Sequence, residues 1–215
     1  MTSLTRYGWR MKAPSSAQSL TQHWIVPIVD ILASPHPTEI LSGNERMTMD
    51  VNEQIHAQLV KAGVRLAASL PDDWVNGLIR RVAKDNIIRH VPVGREAETI
   101  AICAGAFFGG VRSVAIIGNT GLLTCTGEMA TLCLRHAIPV FCIVSGRGSI
   151  DDHKVYQEVQ GRRTIPLLQA YDYPYKVIDK PEEIENIPDA YEWHRLQKRP
   201  FVLFLTKKLL GVKNA

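Results

Sequence analysis

Three runs of this sequence, SVAIIG at 113–118, PVFCIVSG at 139–146 and FVLFLT at 201–206, are apolar at almost every position for the length of a β-strand. A strand with one wet face alternates polar and apolar side chains, so a strand that is apolar throughout needs cover on both faces. Helix-like segments between the runs can supply it. Continuous apolar strands separated by helices indicate a mainly parallel sheet with helices on both sides.

The rest of the chain from Asp50 keeps the same alternation. Asp50 and Glu53 have the spacing of a capping box, and Val51, Ile55, Leu59 and Val60 share one helical face until Gly63 stops the helix. VRLAASL at 64–70 reads as a strand, and a helix then starts at Pro71 with two aspartates in its first turn. NIIRHVPV at 86–93 is a strand, followed by a helix from Glu96 to Phe108 that ends at Gly109-Gly110. The next helix is expected from Leu122 to Ala137, and a polar loop from Arg147 to Gln160 leads to a short helix around TIPLLQAY and the strand YKVID. A last helix capped by Asp179 with Glu182 precedes FVLFLT. The expectation is a doubly wound α/β domain over 49–215, with a mainly parallel sheet of about six strands and helices on both faces. Residues 1–48 lack a sustained period and read as an N-terminal arm or leader, with Met47 or Met49 as an alternative start.

Bulk properties exclude several classes. The chain is 46% hydrophobic without an apolar run of 18 residues, which fits a soluble protein and no membrane. Its 25 Lys and Arg against 21 Asp and Glu are scattered, too weak a bias for nucleic acid. Cys103, Cys125, Cys133 and Cys142 lie in apolar segments without a CxxC pair or zinc-like spacing, as expected of reduced core cysteines in a cytoplasmic protein. The N-terminus lacks the pattern of a signal peptide.

In parallel α/β sheets ligands bind beyond the carboxyl ends of the strands, so the loops to inspect are SLPDDW at 69–74, PVGREAE at 92–98, GNTGLLT at 118–124 and SGRGSIDDHKVYQEVQGRR at 145–163. None carries GxGxxG, GxxxxGK[ST], GxSxG or HExxH. Gly118 and Gly121 have an ordinary reading as tight-turn residues. Glu96 has one as a first-turn glutamate that favours the helix dipole.

Taken together, the four loops resemble a known family. Glu96 with Gly105 nine residues on, inside REAETIAICAGAFFGG, resembles the pyrimidine-binding domain of thiamine-diphosphate enzymes. GNTGLLT stands where the sulfopyruvate and phosphonopyruvate decarboxylases carry a QNSGLGN-like loop. SLPDDW is similar to their S/G-V-P-D/C loop, and GRRTIPLLQAYDYPY to their GRxTxPLL segment. The resemblance runs from about Asp50 to Leu209 in order.

In that family a glutamate bonds a ring nitrogen of the cofactor's aminopyrimidine, so that the cofactor can lose a proton, add to a 2-oxo acid and hold the electrons left when carbon dioxide departs. An apolar setting suits such a carboxyl, because desolvation moves it towards the range where a proton is shared. Helical spacing sets Ile100, Cys103 and Phe107 on the face of Glu96. The resemblance therefore implies that Glu96 is catalytic and that Glu96, Gly118, Asn119, Thr120, Gly121 and Leu122 bind the cofactor. Pro71, Asp72, Arg95, Arg147 and Gln157 are the substrate candidates, with His153, Arg162 and Arg163 as further cations in the polar loop.

The family holds the diphosphate through Mg²⁺ with a Gly-Asp-Gly motif and a later Asn, and this sequence contains no Gly-Asp dipeptide. The resemblance thus implies a split carbon–carbon lyase. This chain would be the alpha subunit with no metal ligands, and a beta subunit carrying the GDG…N motif would supply the diphosphate site and Mg²⁺. The pair is expected to form a dimer of heterodimers acting on a small 2-oxo acid. The 118–124 loop departs from the family pattern, with Gly118 for Gln, Thr120 for Ser and Leu123-Thr124 for Gly-Asn. Two other readings are a noncatalytic or regulatory subunit of the same fold and a stand-alone anion-binding α/β module.

Overall fold

The computed structural model describes residues 49–212. The arm expected at 1–48 and the last three residues of the expected 49–215 domain lie outside the described residues. Six strands form one sheet: β1 Leu66–Ser69, β2 Arg89–Pro92, β3 Ser113–Ile117, β4 Phe141–Ser145, β5 Tyr175–Ile178 and β6 Phe201–Leu205. Every pairing is parallel, and the spatial order is β2-β1-β3-β4-β6-β5. The mainly parallel expectation is thus met by a wholly parallel sheet.

Alternate residues of β1, β3, β4 and β6 feed two separate apolar layers. Ala67, Ile116, Ile143 and Leu203 join one layer with Ile55 and Leu59 of helix α1 (Val51–Lys61), Leu78 and Val82 of α2 (Asn76–Ala83), and Ile187 and Tyr191 of α7 (Ile187–Gln197). Ala68, Ala115, Ile117, Cys142 and Val144 join the other, with Ile100, Cys103 and Ala104 of α3 (Glu96–Phe108) and with Leu122, Cys125, Met129 and Cys133. The central strands β3 and β4 are buried at all positions, which is why their sequences lack alternation. Phe141 at the start of β4 is wholly buried and stacks on Phe201 at 5.3 Å, a contact whose loss to alanine costs about 3–5 kcal/mol. The four cysteines are free and buried, and burial pushes the thiols of Cys103 and Cys133 up to about 12.

Several boundaries differ from expectation. Helix α2 starts at Asn76 rather than Pro71, because Asp72 accepts a hydrogen bond from the Trp74 amide at 3.1 Å and holds a turn there. Asp50 caps α1 through the Asn52 amide, but Glu53 pairs with Arg81 of α2 instead of completing a capping box. The helix expected at 122–137 begins three residues earlier as α4 (Asn119–Thr124) and continues as a short α5 (Thr126–Glu128). It then widens into a π-helical turn at Met129–Leu134, with Met129 and Cys133 both against the core. The polar loop ends sooner than expected, since a 3₁₀ turn at Val155–Gln157 runs into α6 (Glu158–Ala170). Asp179 does not cap the final helix: it accepts from Thr206 at 2.9 Å and Lys208 at 3.1 Å. Lys180 opens a 3₁₀ run at Pro181–Asn186, with the Glu183 carboxylate bonding the amides of Asp179 and Lys180. A short α8 (Lys207–Leu210) follows β6. No helix among the described residues is long and apolar enough to cross a membrane.

Candidate active site

The chain goes from β1 outward to β2 and then returns to the other side of β1 to lay down β3, so the topological switch point lies between β1 and β3. The carboxyl ends of those strands deliver Ser69-Leu70-Pro71-Asp72 and Gly118-Asn119-Thr120 side by side. They touch: a methyl group on Gly118 would fall 2.8 Å from Asp72 Oδ2. Strand β2 leads through Gly94 and Arg95 into α3, which starts with Glu96.

Two glutamates stand in the first turn of α3, and they do different things. Glu98 Oε2 accepts from the Gly94 amide at 3.0 Å, which is the ordinary work of a carboxylate at a helix start. Glu96 turns instead towards α4. A methyl group on Gly121 would fall 2.2 Å from Glu96 Cγ and 2.6 Å from its Oε1, so the half-buried side chain lies flat on the Gly121 backbone. Among the described residues none donates a hydrogen bond or ion pair to the Glu96 carboxylate. Ile100 and Cys103 are buried and Phe107 is half-buried against them, in the layer expected beneath Glu96. Helix α3 is covered on one side only, because Ala101, Gly105 and Phe108 are exposed.

Across the strand ends, Arg147 is 4% exposed and fully engaged. Its Nε and Nη2 reach the Asp152 carboxylate at 2.8 and 3.2 Å, its guanidinium stands 4.5 Å over the Trp74 ring, and Asp72 and Asp73 lie at 3.8 and 3.9 Å. Burial pushes the Asp152 carboxyl up, but Arg147 and the amides of Gly148 and Lys154 outweigh it and hold it down at about 2. The side chain proposed as an anion ligand thus closes the 147–154 loop onto the 70–74 loop.

The remaining candidates divide by burial. Asn119 is buried, its amide held by Thr164 Oγ1 at 2.7 Å and the Arg147 carbonyl at 3.5 Å, and its backbone N–H donates to Ser145 Oγ at 3.3 Å. Leu122 is wholly inside the core rather than at the site surface. Thr120 donates to Gln157 Oε1 at 3.2 Å, joining α4 to the turn before α6. Pro71 and Arg95 are exposed. Sequence reasoning missed Trp74, Asp152 and Thr164 as structural partners of the site; an aspartate five residues after Arg147 was a signal, but an unspecific one. Among the described residues no group of three or more His, Cys, Asp or Glu side chains is placed to hold a metal ion.

No family model matches the chain. Curated relatives do. The alpha subunit of sulfopyruvate decarboxylase from Methanococcus maripaludis is 28% identical over 73% of this chain and 95% of its own length. Phosphonopyruvate decarboxylase from Streptomyces viridochromogenes is 32% identical over 63% of this chain, but only 34% of that longer protein is matched. A solved 2-oxoglutarate:ferredoxin oxidoreductase from Magnetococcus marinus superposes with a TM-score of 0.59 at 13% identity, over 75% of this chain and 29% of that one, which shows a shared fold. The sulfopyruvate decarboxylase alpha subunit of Methanothermobacter thermautotrophicus is 31% identical over 64% of this chain and 83% of its own length. With a relative of that identity matched over most of its own length, this chain belongs to the sulfopyruvate decarboxylase alpha-subunit family.

Proposed function

We propose that the chain is the alpha, pyrimidine-side subunit of a thiamine-diphosphate-dependent 2-oxo acid decarboxylase, with sulfopyruvate or phosphonopyruvate as the substrate class. It works only with a beta subunit that carries the diphosphate site and Mg²⁺, as a dimer of heterodimers. The observation that carries this reading is Glu96, a half-buried carboxylate laid over Gly121 beside the switch point, while Glu98 does the capping.

These residues fit the aminopyrimidine half of the cofactor, since an acceptor without an internal donor stands above a helix with no side chain in the way. When bound, thiamine diphosphate supplies a nucleophilic carbon and a place for the electrons left when carbon dioxide departs. Glu96 would hold a proton or hydrogen bond at the pyrimidine ring through its carboxylate oxygens. Asp72 and Gly118 would close the floor between β1 and β3. Arg147, already neutralised by Asp152, shapes the rim rather than reading charge. The second anion of the substrate falls to Arg95 and Arg163, exposed cations with no ion pair among the described residues, and to the partner. That occupancy of Arg147 weighs against a stand-alone anion-binding module. The absence of a Gly-Asp dipeptide and the match to one third of the longer phosphonopyruvate decarboxylase support a division of labour between chains. A cytoplasmic site of action suits four cysteines that remain buried thiols.

The test is to co-express the chain with a GDG-containing partner and measure carbon dioxide release from sulfopyruvate, phosphonopyruvate and pyruvate, with thiamine diphosphate and Mg²⁺ present. The complex should turn over at least one acid that neither chain turns over alone, and Glu96→Gln should lower kcat by about 10²–10⁴-fold. Undiminished turnover by the Glu96→Gln complex would overturn the assignment of Glu96 and favour a noncatalytic subunit.

A further inference from the structure

Gly121 sits inside α4, and its φ is not in the left-handed region, so the backbone conformation does not demand glycine there. Glycine in a helix interior is also a poorer choice than alanine. What excludes a side chain is Glu96, whose Cγ, Cδ and Oε1 would lie 2.2, 2.7 and 2.6 Å from a methyl group at position 121. Two other helical glycines provide a reference: a methyl group on Gly105 in α3 or Gly127 in α5 would meet nothing within 4 Å. Gly77 in α2 and Gly161 in α6 are also crowded, by the Asn52 side chain and by the Arg147–Gly148 backbone, so close approach is not unique to Gly121; what is particular there is that the obstacle is the Glu96 carboxylate side chain.

We infer that Gly121 is a positioning residue, and that the missing side chain, not a hydrogen bond, sets where the Glu96 carboxylate lies. Because Cγ itself is in the way, turning the terminal torsion cannot relieve the clash that alanine would create. Relief requires a different χ1 well, and that swings the whole carboxylate away from α4. Nothing else holds it there, since no donor among the described residues fixes the carboxylate. The effect on catalysis rests on the function proposed above; the contact itself does not.

The test is a double-mutant cycle on the full chain, read first as thermal unfolding and then as kinetics in the complex. Gly121→Ala should lower the unfolding midpoint when Glu96 is present and raise it by about 2 °C in a Glu96→Ala background, where only the helix preference of alanine remains. Gly105→Ala should act alike in both backgrounds. An equal effect of Gly121→Ala with and without Glu96 would overturn the contact. In the complex, Gly121→Ala should lower kcat about 10–100-fold while the KM for thiamine diphosphate stays within a few-fold, with a changed near-ultraviolet circular dichroism of the bound cofactor. Unchanged kcat and an unchanged spectrum in Gly121→Ala would overturn the positioning role while Glu96→Gln still fails. If Glu96→Gln itself keeps full turnover, the functional reading falls and the unfolding cycle alone decides the contact.

Discussion

Arg147 follows the carboxyl end of the central strand β4 and Glu96 that of the edge strand β2, and the chain treats their charges in opposite ways. Arg147 is buried against Asp152, stacked on Trp74 and flanked by two more carboxylates. Glu96 is half-buried over a glycine and receives no donor among the described residues. A charge that is satisfied internally builds a loop, and a charge left for a ligand marks where chemistry takes place. The residue with more neighbours is the poorer candidate for touching substrate.

The comparison breaks if the two sites respond alike to removal of charge. Asp152→Asn should be the most damaging to stability, costing about 3 kcal/mol because it removes the hydrogen-bonded carboxylate of a buried guanidinium and leaves only Asp72 and Asp73 at 3.8 and 3.9 Å, and denaturant unfolding measures it. Glu96→Gln should shift the same midpoint by no more than about 0.5 kcal/mol.

The acid limb separates a third kind of polar group. His194 is buried, its Nδ1 has no hydrogen-bond partner among the described residues, and burial pushes its pKa down from 6.5 to about 4. Below pH 6.5 the unfolded chain takes up a proton that the folded chain refuses, so stability falls as pH drops from 6.5 to about 4 and the loss then levels off. The stability supplied by Asp152 is present above pH 3.8 and is lost as pH falls towards about 2, a separate and lower window. His194→Phe should remove about 3 kcal/mol of the loss across the upper window, leaving the part due to His90, whose pKa burial also lowers, and should leave the lower window unchanged; unfolding free energies measured between pH 7 and 2 check both. The smallest effect belongs to Arg162, whose pair with Glu158 is exposed on α6: Arg162→Ala should stay within about 0.5 kcal/mol by the same measurement.

The strands were legible because burial on both faces leaves β3 and β4 apolar at every position but a terminal serine, Ser113 in one and Ser145 in the other, a pattern few other arrangements produce. Glu96 was legible as a residue and not as a geometry. Its spacing to Gly105 suggested the family, but the contact that matters is with Gly121, on another helix. The 147–160 segment misled for a tertiary reason. Gly148 and Gly161 cross so closely that a methyl group on either would fall 2.7 Å from the other's Cα, and that crossing seats α6 earlier than its composition suggests. Arg147 misled because a cation in a polar loop looks the same whether it awaits a substrate or an aspartate five residues on.

The π-helical turn at Met129–Leu134 means that the helix leading away from the site contains one residue more than an α-helix of the same rise would need. That surplus is slack in chain length. Deleting one residue there can be absorbed by tightening the turn to α-helical pitch, with α4 on one side and β4 on the other keeping their places. A deletion within β3 has no such reserve, since it turns the following side chains to the opposite face of the sheet. Changes in chain length at this end of the molecule are thus accommodated between the site and the next strand, where they leave the spacing of Gly121 to Glu96 intact.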